Sequence, residues 1–262
     1  MPHATLNGIQ LHYLDEGPKE APTLVFANSL GTDLHMWDPI LPYLPKTLRL
    51  IRYDKRGHGK SEVPDAPYTM GALIKDAEAL LDHLHVRNCV FVGLSIGGMI
   101  AQGLATKRLD LIHAMVLSNT AAKIGTPNMW AERIAALQND GLEGMADTVM
   151  QRWFSRDFLA LDQLQHWRDM LTAQSPEGYI GCCHAIAGTD FYTPTSALRL
   201  PTLGIAGSED GATPPDLVRE TINLIPGSQF TLMHRVGHLP CVEQPENYAG
   251  HVTEFLKQTG HI

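Results

Sequence analysis

The chain has 262 residues, 44% of them hydrophobic and 18% charged, with a formal net charge of -8. That length buries a core without covalent staples, and the acidic balance leaves no basic surplus to displace the counterions of a nucleic acid. It does not exclude an anionic ligand, because one local arginine outweighs a diffuse negative surface at short range.

In chain order, TLNGIQLHYLDEG alternates around Asn7-Gly8 and predicts a hairpin. APTLVFANS is a short apolar run ending in small polar residues, as a buried strand does. LRLIRYDKRGHGKS is a third strand that breaks into a glycine-rich loop. Leu73, Ile74, Ala77, Leu80, Leu81 and Leu84 then repeat at helical spacing behind a Thr69 cap. CVFVGLS reads as a strand, SIGGMIAQGLATKRL as a helix and LIHAMVLSNTA as another strand. Residues 122–195 hold helical stretches such as WAERIAALQNDG and GMADTVMQRWF and no convincing strand. LPTLGIAGSEDG, a helix over 214–224, the strand SQFTLMHRVGH and a final helix over 245–257 resume the alternation. Alternating strands and helices predict an α/β fold with a mostly parallel, doubly covered sheet. The expected organisation is a core of 1–121 and 196–262 with a helical cap over 122–195.

Cys89, Cys182, Cys183 and Cys241 form no CxxC pattern and are expected to be unpaired thiols. The opening MPHATLNG lacks a basic-then-apolar signal segment, and no apolar run approaches the roughly 18 residues of a membrane span. The expectation is a cytoplasmic protein with neither nucleic acid nor membrane as partner. No His/Cys/Asp/Glu cluster has metal-ligand spacing and no GxGxxG follows the first strand, so the chemistry is expected to run without a cofactor or metal.

Gly93-Leu94-Ser95-Ile96-Gly97 fits the G-x-S-x-G nucleophile elbow, a sharp strand-to-helix turn that lifts a serine oxygen clear of the sheet. Flanking glycines are required where side chains would strike the neighbouring strand and helix. Asp210, past the strand in GIAGSEDG, and His238, past TLMHRVG, complete a Ser–Asp–His order in which each residue follows a strand. His238 is the expected base for Ser95, and Asp210 the group that orients the imidazole and stabilises its charged form. Glu209 adjoins Asp210, but successive residues point apart, so one of the two faces the histidine, and Asp210 is the candidate. Asn28-Ser29-Leu30-Gly31 follows the early strand, so the backbone N–H groups of Leu30 and Ile96 are the expected oxyanion donors. His58 and Asp54 are read as loop-building residues, and Trp153 and Trp167 as packing.

With these pieces in place, the chain resembles the α/β-hydrolase fold along its whole length. FANSLGTDLHMWDP at 26–39 and LSNTAAKIGTPNMWAERI at 117–134 narrow the resemblance to 3-oxoadipate enol-lactonases. YDKRGHGKSEVP at 53–64 and VGLSIGGMIAQGLA at 92–105 are shared with many esterases, haloperoxidases and carbon–carbon hydrolases. The resemblance implies opening of a five-membered enol lactone that bears an acetate arm. A desolvated carboxylate needs a charged partner, for which Arg133 is the first candidate, with Trp130 three residues away on the same helical face. The alternatives at this point are a general carboxylesterase or cofactor-free perhydrolase, a carbon–carbon hydrolase, and a small-molecule receptor. Dehalogenases and epoxide hydrolases are disfavoured, since both require an aspartate at position 95.

Overall fold

In the computed structural model, which describes residues 2–262, the chain opens with β1 (His3–Leu6) and β2 (Ile9–Glu16), paired antiparallel. Asn7 and Gly8, at φ 49° and 81°, form the tight turn that the Asn-Gly pair predicts. β3 (Thr23–Ala27) and β4 (Arg49–Tyr53) are parallel to each other, with β2 antiparallel to β4. α1 (Met70–His83) begins at Thr69, whose side chain accepts from the Ala72 amide and satisfies one orphan donor of the first turn. β5 (Cys89–Leu94), α2 (Ile96–Lys107) and β6 (Ile112–Ser118) follow.

Between β6 and β7 (Thr202–Gly207) the described chain makes only helices: α3 (Pro127–Trp153), α4 (Leu164–Thr172), α5 (Pro176–Ala187) and α6 (Tyr192–Ser196), with one short 3-10 turn at Phe158–Ala160. α3 is broken at Gly141, at φ 67°, so its two halves coincide with the two helical stretches read separately from sequence. Thr126 and Ser175 cap α3 and α5 from their side chains. α7 (Pro215–Asn223), β8 (Gln229–Met233), α8 (Pro240–Glu243) and α9 (Pro245–Gln258) complete the chain.

The sheet order is β1-β2-β4-β3-β5-β6-β7-β8, and pairing is parallel from β4 onward. Every residue of β3, β5 and β7 is buried. Since successive side chains point to opposite faces, both faces of the sheet are covered there. The connection out of β3 goes to one neighbour, β4, while its other neighbour is β5, so the chain changes direction between β3 and β5. Crevices at such a reversal, outside the carboxyl ends of the strands, are where open α/β sheets bind ligands.

Three features depart from the sequence expectation. Leu34–Tyr43, to which the sequence reading assigned no element, forms a 3-10 stretch started by the Asp33 side chain accepting from the His35 amide. β8 ends at Met233, short of the stretch read as strand, because Arg235 at φ 61° turns the chain before His238. α8 supplies a turn of helix after His238 that the sequence reading lacked. All four cysteines are buried and unpaired. Among the described residues no helix is long and apolar enough to cross a membrane.

Candidate active site

Ser95 stands between β5 and α2 at φ 58° and ψ -120°, a conformation that costs an ordinary residue about 1–3 kcal/mol. Its amide donates to the Ser118 carbonyl at 3.0 Å, and its own carbonyl accepts from Thr120 Oγ1 at 2.6 Å, so the end of β6 holds the strained turn. The flanking glycines are required by contact. A Cβ on Gly97 would sit 2.0 Å from the Ala27 carbonyl oxygen, and one on Gly93 would sit 2.3 Å from the Gly97 carbonyl oxygen. Only a bare backbone lets α2 start directly over the ends of β3 and β5.

Asp210 and His238 meet from the loops after β7 and β8, with His238 Nδ1 2.8 Å from Asp210 Oδ2. The carboxylate also accepts from Asn119 Nδ2 at 2.8 Å, Thr213 Oγ1 at 2.7 Å and the amides of Ala212 and Thr213 at 2.7 and 3.0 Å. Burial pushes this carboxyl upward, but attraction to His238 and the bonds from His238, Asn119 and Thr213 outweigh it and hold it below its ordinary value. Glu209 is exposed and accepts from the Arg156 amide instead, which settles which of the adjacent acids faces the histidine. The His238 amide donates to the Trp153 carbonyl at 2.7 Å, fixing the loop against the end of α3.

Ser95 and His238 line one cavity of about 220 Å³, together with Leu30, Trp130 and Arg133. Ser95 Oγ makes no hydrogen bond to a described residue, and the hydroxyl that His238 Nε2 contacts is Ser29 Oγ at 3.4 Å. Serine–histidine bonds are often long in empty sites and tighten on substrate. Ile96 opens α2, where backbone N–H groups have no partner within the helix. Leu30 N–H likewise donates to no described residue. Two free amides, a serine on a strained turn and an acid-oriented imidazole around one cavity can carry out acyl transfer.

A sequence profile of the alpha/beta hydrolase fold matches residues 22–245. Two 3-oxoadipate enol-lactonases of Acinetobacter baylyi are 33% and 35% identical, covering 97% and 92% of this chain and 96% and 91% of their own lengths. The crystal structure of the enol-lactonase from Burkholderia xenovorans superposes with a TM-score of 0.94 at 37% identity, covering 98% of this chain and 100% of the other. The chain belongs to the α/β-hydrolase family.

In this α/β-hydrolase the structure brings the residues expected from sequence into one place and adds others. Arg133 lines the cavity with its guanidinium carbon 5.6 Å from the ring centroids of both Trp130 and Tyr179. It donates to the Tyr179 hydroxyl, no carboxylate pairs with it among the described residues, and its buried Nε has no partner. Trp130 is buried, donating from Nε1 to the Ile124 carbonyl at 2.7 Å, so it both packs and lines. Trp153 does more than pack, since it lines the cavity and anchors His238, whereas Trp167 sits among Phe154 and His166 as expected.

Tyr179 and Arg152 line the same cavity and were missed by the sequence reading, because nothing local marks a residue of α5 or the far end of α3 as facing Ser95. Burial pushes the Tyr179 phenol up to about 12 despite Arg133, so it stays protonated. Asn119 was also missed, although it lies inside the SNTAAKIG segment that carried the resemblance. His58 and Asp54 build loops, as read. His58 Nε2 accepts the Gly31 amide at 3.0 Å, and Asp54 accepts the amides of Leu34 and Lys60 at 2.7 and 2.9 Å.

Proposed function

We propose that this hydrolase opens 3-oxoadipate enol-lactone to 3-oxoadipate through an acyl-enzyme. In this reading Ser95 Oγ attacks the lactone carbonyl while His238 Nε2 takes its proton, and Asp210 stabilises the imidazolium. The N–H groups of Leu30 and Ile96 receive the charge that develops on the carbonyl oxygen, each worth about 2.7–4 kcal/mol in the transition state. The ring oxygen leaves as an enol, which is a better leaving group than an alkoxide, and becomes a ketone after proton transfer. His238 then activates water to free the acyl group from Ser95. The helical segment 122–195 acts as the cap over a core of 1–121 and 196–262.

The observation that carries the substrate assignment is the charge of the cavity wall. Its lining includes Arg133 and Arg152 and no acidic side chain. A half-buried guanidinium without a carboxylate partner is costly unless a ligand supplies one. The Tyr179 hydroxyl accepts from Arg133 and keeps its own proton free, giving a substrate carboxylate a second donor. The volume, about 220 Å³, lies below the roughly 300–1,000 Å³ of pockets for drug-sized ligands and suits a small ring with a short arm. The full-length similarity to chains that bear the enol-lactonase name supports the same substrate.

The test is the rate at which purified protein consumes freshly generated enol-lactone, followed by ultraviolet absorbance beside an uncharged aryl ester. Arg133→Met is expected to raise KM for the lactone about 10- to 100-fold, the worth of a charge-assisted bond, with a smaller effect on the ester. Indifference to the lactone with brisk ester hydrolysis would replace this reading with the general carboxylesterase.

A further inference from the structure

Lys55 is almost completely buried, yet no carboxylate pairs with it among the described residues. Its neighbour Arg56, by contrast, makes a two-bonded ion pair with Asp76 at 2.6 and 2.7 Å. A buried ammonium bonded to neutral oxygens alone is an expensive way to fill space that a methionine would fill at little cost. Lys55 Nζ donates to the Ser29 carbonyl oxygen at 2.6 Å and to the Thr32 carbonyl oxygen at 3.3 Å. Thr32 Oγ1 donates to the same Ser29 oxygen at 2.9 Å.

The Ser29 carbonyl and the Leu30 N–H belong to one planar trans peptide, so they point in opposite directions. Holding the oxygen from the Lys55 side therefore aims the N–H away from Lys55, on the side where Leu30 lines the catalytic cavity. A cation on the oxygen also draws electron density from the peptide nitrogen and makes its N–H a stronger donor. The next amide, Gly31, is held separately by His58 Nε2, so the turn is pinned on both sides of Leu30. Burial pushes the Lys55 ammonium down to about 8, which leaves it largely protonated at neutral pH.

We propose that Lys55 is a positioning residue of the oxyanion site, holding and polarising the Ser29–Leu30 peptide so that the Leu30 N–H meets the charge formed in the transition state. The proposal rests on the reading of Leu30 as an oxyanion donor but not on the identity of the lactone.

The test uses the full-length protein and Lys55→Met, read with an uncharged aryl ester, a small alkyl trifluoromethyl ketone and adipate. The ketone adds to the serine and places an oxyanion in the site, whereas adipate probes only ground-state binding of a carboxylate. Lys55→Met is expected to lower kcat about 10- to 100-fold, less than outright loss of an oxyanion donor. KM and adipate affinity should stay within about twofold, and ketone affinity should fall by the same factor as kcat.

Thr32→Val removes a weaker donor from the same oxygen and keeps Lys55. It is expected to give a smaller loss of the same kind, about 3- to 10-fold, and it carries the test if Lys55→Met does not fold. Wild-type values of kcat and ketone affinity in the folded variant overturn the proposal. So does a parallel loss of adipate affinity, which would mark a collapsed pocket. A ketone that binds wild type and Ser95→Ala equally well removes the nucleophile reading and the proposal with it. Failure to open the lactone, with these ester and ketone results intact, overturns only the substrate assignment.

Discussion

Two serines share the cavity with His238, and their backbones separate their roles. Ser29 Oγ lies 3.4 Å from His238 Nε2, in an ordinary loop conformation, whereas Ser95 occupies the strained turn at the end of β5. A nucleophile needs an oxygen lifted clear of the sheet beside a free amide, and only position 95 has both. Ser95→Ala is therefore expected to lower kcat by at least about 10,000-fold, while Ser29→Ala, which removes one long neutral contact, lowers it less than about tenfold. Single-turnover kinetics on the aryl ester check both, and a severe loss in Ser29→Ala alone would reverse the assignment. The Ser–Asp–His order was readable because each residue sits directly in a strand-end motif. Asn119, Tyr179 and Arg152 were not, because their importance comes from where other elements place them.

At the level of elements, the same substitution has opposite signs at two glycines. In Gly97→Ala the new Cβ would meet the Ala27 carbonyl at 2.0 Å, backbone against backbone, so α2 must move off β3. Overpacking of this kind costs about 1–3 kcal/mol or more, and here the moving part carries Ser95. Gly250 lies exposed in α9, and a Cβ there meets nothing within 4 Å. Gly250→Ala should stabilise by about 0.5–1 kcal/mol through helix propensity. Urea unfolding midpoints check both, with loss of aryl-ester activity expected only in Gly97→Ala. The helical period of α1 and its Thr69 cap were legible because a helix encodes its buried face locally. The 3-10 stretch Leu34–Tyr43 was not, since Pro39 and Pro42 disguise it and its start depends on an Asp33 side chain.

Across the whole molecule, the junction between the sheet's loops and the helical segment passes through His58. Its ring stacks on Tyr179 at 6.4 Å between centroids, and next to it the Gly57 backbone meets Gly178 so closely that a Cβ on Gly57 would lie 2.5 Å from the Gly178 Cα. Burial and the nearby Lys55 charge hold His58 well below its ordinary pKa, so it is neutral in the fold. Above about pH 6.5 both folded and unfolded states carry a neutral imidazole and nothing is lost. As pH falls below that value the unfolded chain takes a proton that the fold refuses, and stability drops by up to about 1.4 kcal/mol per pH unit. His261, also lowered by burial, contributes with the same sign. Asp210 adds its loss only in the range of carboxylates, as pH falls through its lowered value. His58→Gln keeps an acceptor for the Gly31 amide and removes this titration. Its unfolding free energy should fall about 1 kcal/mol less than that of the wild type between pH 6.5 and 5.5. Equal losses in the two proteins would show that His58 is protonated in the fold.

The amino-acid sequence by itself determined the alternation of strands and helices, the turn that presents Ser95, and the order in which acid and histidine follow. These are local: periodicity, caps and glycines at close approaches act over a few residues, and a strand end is visible where it occurs. Only the tertiary structure decided which side chains face Ser95 across the cavity. It put Arg133, Arg152 and Tyr179 from three stretches of helix on one wall, and set Lys55 behind the peptide of Leu30. Those placements depend on how helices 122–195 pack over the strand ends and how β4 lies beside β3. Packing of that kind is a property of many distant contacts at once, and no short segment carries it.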